Sequence, residues 1–200
     1  MRRMLIAMMA CLPLMGMAQN SWETENTQGQ QVNPDQKYLV GAVPVVDGKV
    51  QFTKEISAPG KSAAQIYDII LKYFTQLTKE DNQLEQSRIV GKDSINHSVA
   101  GSYQEWLVFK NKPLVLDRTR FMYTLTAQCE DGKANITMRR IYYYYDEERD
   151  PQTYLAEEWI TDEYGLKKNK QKLSRVSGKF RRKTIDRKDY LFNKIANLLN

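Results

Sequence analysis

The 200-residue sequence predicts an α+β domain, a two-layer sandwich with two main helices on one face of a twisted antiparallel β-sheet. Three observations support this fold class. One segment has the hydrophobic period of an amphipathic helix, several central segments alternate between apolar and polar residues as strands do, and the C-terminal segment carries a second helical stripe. The order strand, helix, antiparallel strands, helix is typical of a sheet that helices cover on one side.

The first eighteen residues have the pattern of a secretory signal peptide. Two arginines follow the initial methionine, an apolar run extends over residues 4–15, and the small residues Gly16 and Ala18 stand where a signal peptidase cleaves. We therefore expect cleavage between Ala18 and Gln19 and export of the remaining chain.

The apolar run is too short to serve as a membrane anchor, since a spanning helix needs about 20 apolar residues. Lipid attachment at Cys11 is the weaker alternative, because apolar residues still follow that cysteine. No other stretch approaches this length, so we expect no transmembrane segment. Residues 19–37 are polar and have no hydrophobic period, which predicts a flexible leader, and residues 38–200 are interpreted as one α+β domain.

A strand and a helix are predicted at the start of this domain. Apolar residues alternate with polar ones between Val50 and Ile56, which indicates a strand with one buried face. Ser62 and Gln65 then form a capping-box pattern at a helix start. The apolar stripe of this helix has the spacing of one buried face. Its members are Ile66, Ile69, Ile70, Tyr73, Phe74 and Leu77.

Four more strands are predicted between this helix and the acidic loop that starts at Asp146. They are Arg88–Asp93, Gly101–Lys110, Asp117–Gln128 and Ala134–Tyr145. The last two flank Asp131-Gly132, a dipeptide that favours a tight hairpin turn.

This turn sets the register of the predicted hairpin. Ala127 should face Ile136, and Phe121 should face Tyr142. Arg140 then falls on the apolar face, so we expect a β-bulge or a frayed sheet end near it. Towards the C-terminus, a short strand within Leu173–Arg182 and a helix capped by Asp186 complete the prediction. The stripe of that helix is Leu191, Ile195, Leu198 and Leu199.

The same register places arginine and tyrosine side chains together on the face away from the helices. Flat aromatic and guanidinium groups suit a glycan, a peptide or a partner protein. The alternative is a ladder of cross-strand pairs, or a face covered by residues 154–166. The candidate binding face comprises Arg118, Arg120, Met122, Ile141, Tyr143 and Tyr145.

The C-terminal third of the chain is strongly basic. Residues 167–188 contain eleven Lys or Arg residues against one acid, Asp186, whereas residues 19–166 carry sixteen bases and twenty-two acids. Such a tract is either a solvated surface or a polyanion site. The candidate basic patch comprises Lys167, Lys168, Lys170 and Lys172.

Catalytic, cofactor and metal motifs are not found in the sequence. His97 is the single histidine and lies in a polar segment without a nucleophile motif, and Cys129 is in phase with an apolar strand face. No phosphate-binding loop or dinucleotide fingerprint occurs. We therefore predict no catalytic residue, no cofactor and no metal. The remaining catalytic option is a carboxylate pair near Trp159. Its candidates are Glu157, Glu158, Asp162 and Glu163.

Several blocks of sequence resemble an uncharacterised family of exported bacterial proteins, domain of unknown function 4468. They are Tyr38–Val50, Pro59–Ser62, Ala156–Asp162 and Gly178–Asp186. The resemblance implies a fold like that of TATA-binding protein (TBP) and a location in the periplasm or at the cell surface of a Gram-negative bacterium. It brings no catalytic or ligand residues. We expect no nucleic-acid partner, because DNA bending by that fold uses a paired saddle and this chain has one copy and an export signal.

These observations favour a noncatalytic binding or interaction module of the bacterial cell envelope. Its partner would be an envelope protein or a glycan, and the sequence leaves the oligomeric state open. The alternative function is a carboxylate-dependent, glycosidase-like hydrolase that acts near Trp159.

The N-terminal pattern gives a direct prediction. Sequencing the N-terminus of the protein isolated from its own host should recover Gln19, because the residues before it match the peptidase site. Recovery of Met1 or of a lipidated Cys11 would contradict this.

Overall fold

The computed structural model describes residues 35–200. The predicted signal peptide, Cys11 and positions 19–34 of the predicted leader lie outside the described residues. Within them, the elements are strands β1 to β7 and helices α1 and α2. In chain order they are β1 (Val45–Val46), β2 (Lys49–Ser57), α1 (Ala63–Leu77), β3 (Arg88–Asp93), β4 (Ser98–Lys112), β5 (Val115–Glu130), β6 (Lys133–Tyr145), β7 (Gln152–Leu155) and α2 (Gly178–Leu199).

The strands form one antiparallel sheet, which confirms the predicted α+β fold class. Its order is β1-β2-β6-β5-β4-β3, and β7 pairs with β6 beyond the end of β2. The chain leaves β2 through α1 and re-enters at the opposite edge as β3, and the meander of β3 to β6 then returns to β2. No helix within residues 35–200 is long and apolar enough to cross a bilayer.

Helix α1 begins as the capping box predicts. The Ser62 hydroxyl accepts from the Gln65 amide at 3.3 Å, and the Gln65 side chain accepts from the Ser62 amide at 2.9 Å. The carboxylate of Asp131, in the hairpin turn, accepts from the Ala63 amide at 2.8 Å. Ile66, Ile69, Ile70, Tyr73, Phe74 and Leu77 all pack into the core, although Ile69 is only partly buried. The helix start is therefore tied to the turn that sets the β5–β6 register.

The β5–β6 hairpin has the predicted register only near its turn. Ala127 pairs with Ile136 as expected. The expected bulge is present, because Arg140 adopts a φ of 54° and the register shifts there. Beyond the bulge, Phe121 pairs with Tyr143 and not with Tyr142. One inserted residue reverses the face of every later side chain on β6.

Helix α2 differs from the prediction at its start. It begins at Gly178, so the predicted strand within 173–182 is absent and Asp186 lies inside the helix. The Asp186 carboxylate accepts hydrogen bonds from Lys37 at 2.6 Å and from the Tyr38 hydroxyl at 2.7 Å. The prediction missed the first turns of α2 because basic residues there indicated a surface segment. Two arginines of α2 are in fact inside the protein.

The first of these arginines, Arg181, joins three segments of the chain. Its guanidinium donates to the carbonyl oxygens of Tyr38 at 2.6 Å, Leu39 at 2.6 Å and Ile160 at 2.7 Å. It also pairs with the Asp162 carboxylate at 2.6 Å. Arg181 therefore fastens both the start of the domain and the segment after β7 to helix α2.

The second arginine, Arg187, forms a fully buried ion pair with Glu105 of β4. The two N–O distances are 2.9 and 2.7 Å, a bidentate geometry. The side-chain amides of Asn82 and Gln83 each donate to Glu105 at 2.7 Å, and Glu80 accepts from Arg187 at 2.8 Å. Burial raises the pKa of the Glu105 carboxyl, and the Arg187 guanidinium opposes that rise.

This ion pair yields a stability prediction. Changing Glu105 to Gln keeps the side-chain shape but leaves Arg187 without its buried counter-charge, and we expect a loss of about 3–5 kcal/mol in the free energy of unfolding. Urea unfolding measures this loss.

The matched control is Glu55→Gln. Glu55 pairs with Lys133 at 2.9 Å on the surface, where such pairs add little. A comparable loss in both variants would mean that the buried pair does not hold α2 on the sheet.

Candidate functional site

Helices α1 and α2 cover one face of the sheet, here called the inner face, and the opposite outer face carries the candidate site. Inner side chains of β5, such as Phe121 and Leu125, are fully buried. Their outward neighbours Thr124 and Thr126 are partly exposed. The middle of β5 thus presents short polar side chains on the outer face. Residues 154–166 do not cover this face, because this segment packs on the helix side, where the Trp159 ring lies edge-on to Phe180 of α2 and the Ile160 carbonyl oxygen accepts from Arg181.

One end of the outer face carries a group that we call the Trp106 cluster, consisting of Trp106, Arg118, Arg120 and Glu147. The Arg118 guanidinium lies 3.8 Å from the centroid of the Trp106 ring, and the Arg120 guanidinium lies 5.5 Å from it. Arg120 forms an ion pair with Glu147 at 2.6 Å. Cross-strand pairing of Trp106 with Arg120 brings these groups together. The cluster is a flat aromatic surface overlaid by a cation.

A cleft of about 720 Å³ adjoins the Trp106 cluster. Its other walls are the turn between β4 and β5 and the loop after β6, residues 146–149. Tyr142 and Tyr144 stand beside the cluster on β6, opposite Met122 and Arg120 of β5. The arrangement offers aromatic faces and guanidinium groups to a ligand, without a deep pocket that would exclude water.

The structure corrects the predicted binding face. Arg118, Arg120 and Met122 lie on the outer face as expected, although Met122 is only 6% exposed. Ile141 and Tyr143 are on the inner face, because the bulge at Arg140 inserts one residue before them.

Both inner tyrosines of β6 contact helix α2. Tyr143 is fully buried, and its hydroxyl is hydrogen-bonded to that of Thr184 at 2.6 Å. Tyr145 also lies on the inner side, where it donates to Asp117 at 2.8 Å and accepts from Lys179 at 2.9 Å. These two tyrosines are therefore part of the packing under α2.

Sequence reasoning missed Trp106, Tyr142 and Tyr144 as members of the site. The signal for the tyrosines was present, because Arg140 on an apolar face already indicated either a bulge or a frayed sheet end. Carrying that extra residue through the register moves Tyr142 and Tyr144 outward. The position of Trp106 beside Arg120 depends on the β4–β5 register. The turn between these strands contains no recognised dipeptide from which that register could be predicted.

The four lysines of the candidate basic patch are exposed in the loop before α2. They are Lys167, Lys168, Lys170 and Lys172. The ammonium group of Lys170 donates to the Asp162 carbonyl oxygen at 2.6 Å. Three residues of the remaining basic tract do not extend this patch, since Arg181 and Arg187 are buried and Lys179 pairs with Asp117 at 2.8 Å, whereas Arg175 is exposed. A polyanion-binding role for the loop stays a prediction.

Two of the four acids near Trp159 connect separate segments of the chain. The Glu157 carboxylate accepts from the Val50 amide at 3.0 Å, and Asp162 accepts from the Gly41 amide at 2.8 Å in addition to its pair with Arg181. Trp159 stacks on Tyr154 with 3.8 Å between ring centroids. Glu158 and Glu163 are exposed. Among residues 35–200, no three His, Cys, Asp or Glu side chains group as metal ligands.

His97 and Cys129 are neighbours at the turn between β3 and β4. The Cys129 amide donates to the His97 carbonyl oxygen at 3.0 Å, and the His97 ring lies edge-on to Tyr67. The Cys129 thiol is buried, as predicted, and burial raises its pKa to about 11. A protonated thiol in an apolar setting is a poor nucleophile.

An antiparallel sheet with two helices on one face and an open opposite face defines a TBP-like α+β protein. The model of a domain of unknown function with a TBP-like fold, DUF4468, matches residues 52–144. The chain is also similar to a DUF4468 family protein from Bacteroides ovatus. The two are 44% identical with a TM-score of 0.78, over 84% of this chain and 96% of that chain. The chain therefore belongs to the DUF4468 family.

A second solved structure shares the fold alone. It is a TBP-like protein from Parabacteroides distasonis, 18% identical with a TM-score of 0.62, over 78% of this chain and 96% of that chain. A search of curated proteins gave no match.

The environment of Cys129 predicts its reactivity. At about pH 8 the native thiol should resist iodoacetamide, whereas the urea-unfolded chain, with a cysteine pKa of about 8.5, should be alkylated. Because the folded pKa is the higher one, this group stabilises the fold below about pH 8.5 and loses that contribution as the pH rises towards 11. Peptide mass spectrometry locates the adduct, and equal alkylation of both states would show that the thiol is accessible.

Proposed function

We propose that this protein is a noncatalytic binding module of the bacterial cell envelope that recognises its partner through the outer face of the sheet. The observation that carries the proposal is the Trp106 cluster at the end of a face that neither helix covers. The proposed export to the periplasm or cell surface of a Gram-negative bacterium rests on the N-terminal sequence pattern.

The chemistry of the Trp106 cluster suits recognition. Interface anchors are enriched in Trp, Tyr and Arg. The aromatic rings offer large contact areas with little loss of conformational freedom, and the guanidinium group adds planar hydrogen-bond donors. The stacking of Arg118 on Trp106 holds both groups flat before any partner arrives. A partner with planar or hydroxyl-bearing groups, such as an envelope protein or a glycan, fits this surface.

Two observations weigh against other functions. Glu157 and Asp162 bind backbone amides or Arg181, so these acids near Trp159 already have structural roles, which disfavours the hydrolase. The likeness to TBP concerns the fold, and function depends on the site that a fold carries. DNA-bending members of that fold insert apolar wedges between bases, whereas the middle of this face carries threonines such as Thr124 and Thr126.

The test is capture of an envelope partner by the double variant Trp106→Ala/Arg118→Ala. We expect the variant to lose at least about tenfold in captured partner, because anchor residues carry most of the binding energy. Crosslinking in the envelope fraction followed by mass spectrometry, with a glycan array in parallel, gives the readout.

The control is Thr53→Ala/Thr137→Ala, which removes a hydrogen-bonded pair of hydroxyls 3.2 Å apart on the same outer face. Urea unfolding of both variants separates loss of binding from loss of fold. Equal capture by the Trp106 variant and the control would place the binding surface elsewhere. Capture that survives the Trp106 change and falls steeply with added salt would favour the four lysines of residues 167–172.

A further inference from the structure

The turn between β4 and β5 exposes three consecutive aliphatic side chains. Leu114 is fully exposed with a φ of 65°, Val115 is 49% exposed and Leu116 is 53% exposed. A leucine at a positive φ is unfavourable for the backbone. This segment, Lys112–Leu116, is called the hairpin tip below.

The hairpin tip projects beyond the rest of the sheet. The pairing of β6 with β5 ends at Thr119, and the pairing of β3 with β4 ends at Ser102. From Lys110 onwards, β4 pairs with β5 alone. The aliphatic side chains therefore stand at the far end of a two-stranded arm.

The acidic and basic side chains around the hairpin tip differ in whether they form ion pairs within the protein. The nearby acids Asp117, Asp146 and Glu147 are engaged with Lys179, Arg149 and Arg120, respectively. By contrast, the basic side chains of Lys110, Lys112 and Arg118 form no ion pair with any of residues 35–200, although Arg118 stacks on Trp106. Two lysines without an ion-pair partner, Lys110 and Lys112, thus accompany the apolar tip, and Glu148 is the exposed acid among the cleft residues.

We propose that the hairpin tip docks on a membrane surface of anionic phospholipids. Its aliphatic side chains enter the boundary between headgroups and acyl chains, and Lys110 and Lys112 remain at the level of the phosphates. Apolar residues flanked by lysines are the pattern of a segment that lies in a membrane interface. Anionic leaflets attract basic residues at their surface, and this attraction falls off within a Debye length.

The geometry favours a bilayer over a protein partner at this tip. A stable protein interface buries about 800 Å² on each partner, and three side chains on a narrow arm offer much less. A bilayer requires no matching shape, so a small protruding group is sufficient for reversible attachment. The inference goes beyond the proposed partner recognition and does not depend on it.

The experiment is flotation of the full chain with vesicles rich in phosphatidylglycerol, compared with vesicles of phosphatidylcholine alone. The wild-type protein should float with the anionic vesicles and only weakly with the neutral ones. The double variant Leu114→Asp/Leu116→Asp should lose at least about tenfold in vesicle affinity, because it places charges where apolar contact is needed. Its fold should persist, since both side chains are at least half exposed.

The matched control is Ile95→Asp. Ile95 is 87% exposed in the turn between β3 and β4, at the opposite end of β4, so its change alters exposed apolar surface and charge without touching the tip. We expect its vesicle affinity to equal that of the wild type. The variant Lys110→Gln/Lys112→Gln should bind more weakly, with a flatter dependence on salt.

Three results would overturn the proposal. They are failure of the wild type to float with anionic vesicles, an equal loss in the Ile95 control, and equal flotation with neutral and anionic vesicles. If the wild type does not bind vesicles and the tip variant loses a captured envelope protein, the tip is a protein contact. Partner capture by the Trp106 variant is measured separately, so failure of one proposal is distinguishable from failure of the other.

Discussion

The buried ion pair between Arg187 and Glu105 is the constraint on which the arrangement of layers depends. Two charges removed from water are tolerated only if they meet in good geometry and their remaining hydrogen-bonding groups find partners. Helix α2 must therefore lie where its guanidinium reaches β4, and Asn82 and Gln83 must return to the same carboxylate. Arg181 adds a second fixed point six residues earlier in the helix, against backbone carbonyl oxygens. These contacts give the inner face of the sheet a structural role.

These buried contacts explain why the count of charged residues gave a wrong prediction for the C-terminal third of the chain. Lys and Arg are seldom fully buried unless they are paired, so a tract with eleven bases is expected to be surface. Here Arg181 and Arg187 are inside the protein, and Asp186 between them accepts hydrogen bonds from the start of the domain. The hydrogen-bond partners described above for these three residues lie 19 to 149 residues away in sequence. A local pattern carries no information about such partners, and the helix was therefore predicted to start at Asp186.

Sequence patterns predicted the structure correctly where residues close in sequence determine it. The capping box of Ser62 and Gln65 and the stripe that follows it predicted α1 correctly, and Asp131-Gly132 predicted the start of the β5–β6 hairpin. The polarity of Arg140 on an apolar face also predicted a bulge or a frayed sheet end there, and the bulge is present. The prediction did not carry the extra residue of the bulge through the register, and the candidate face depended on that register. Half of the predicted face therefore turned inward.

The bulge at Arg140 also explains why the tyrosines of β6 are divided between the two faces of the sheet. Before it, β6 pairs with β2, and after it the same edge of β6 pairs with β7. The extra residue directs Tyr143 and Tyr145 towards α2, where they contact Thr184 and Lys179, and leaves Tyr142 and Tyr144 outside. Without it, the strand would bring the opposite pair against α2. A single insertion thus completes the core under the helix and also supplies aromatic groups to the open face beside Trp106.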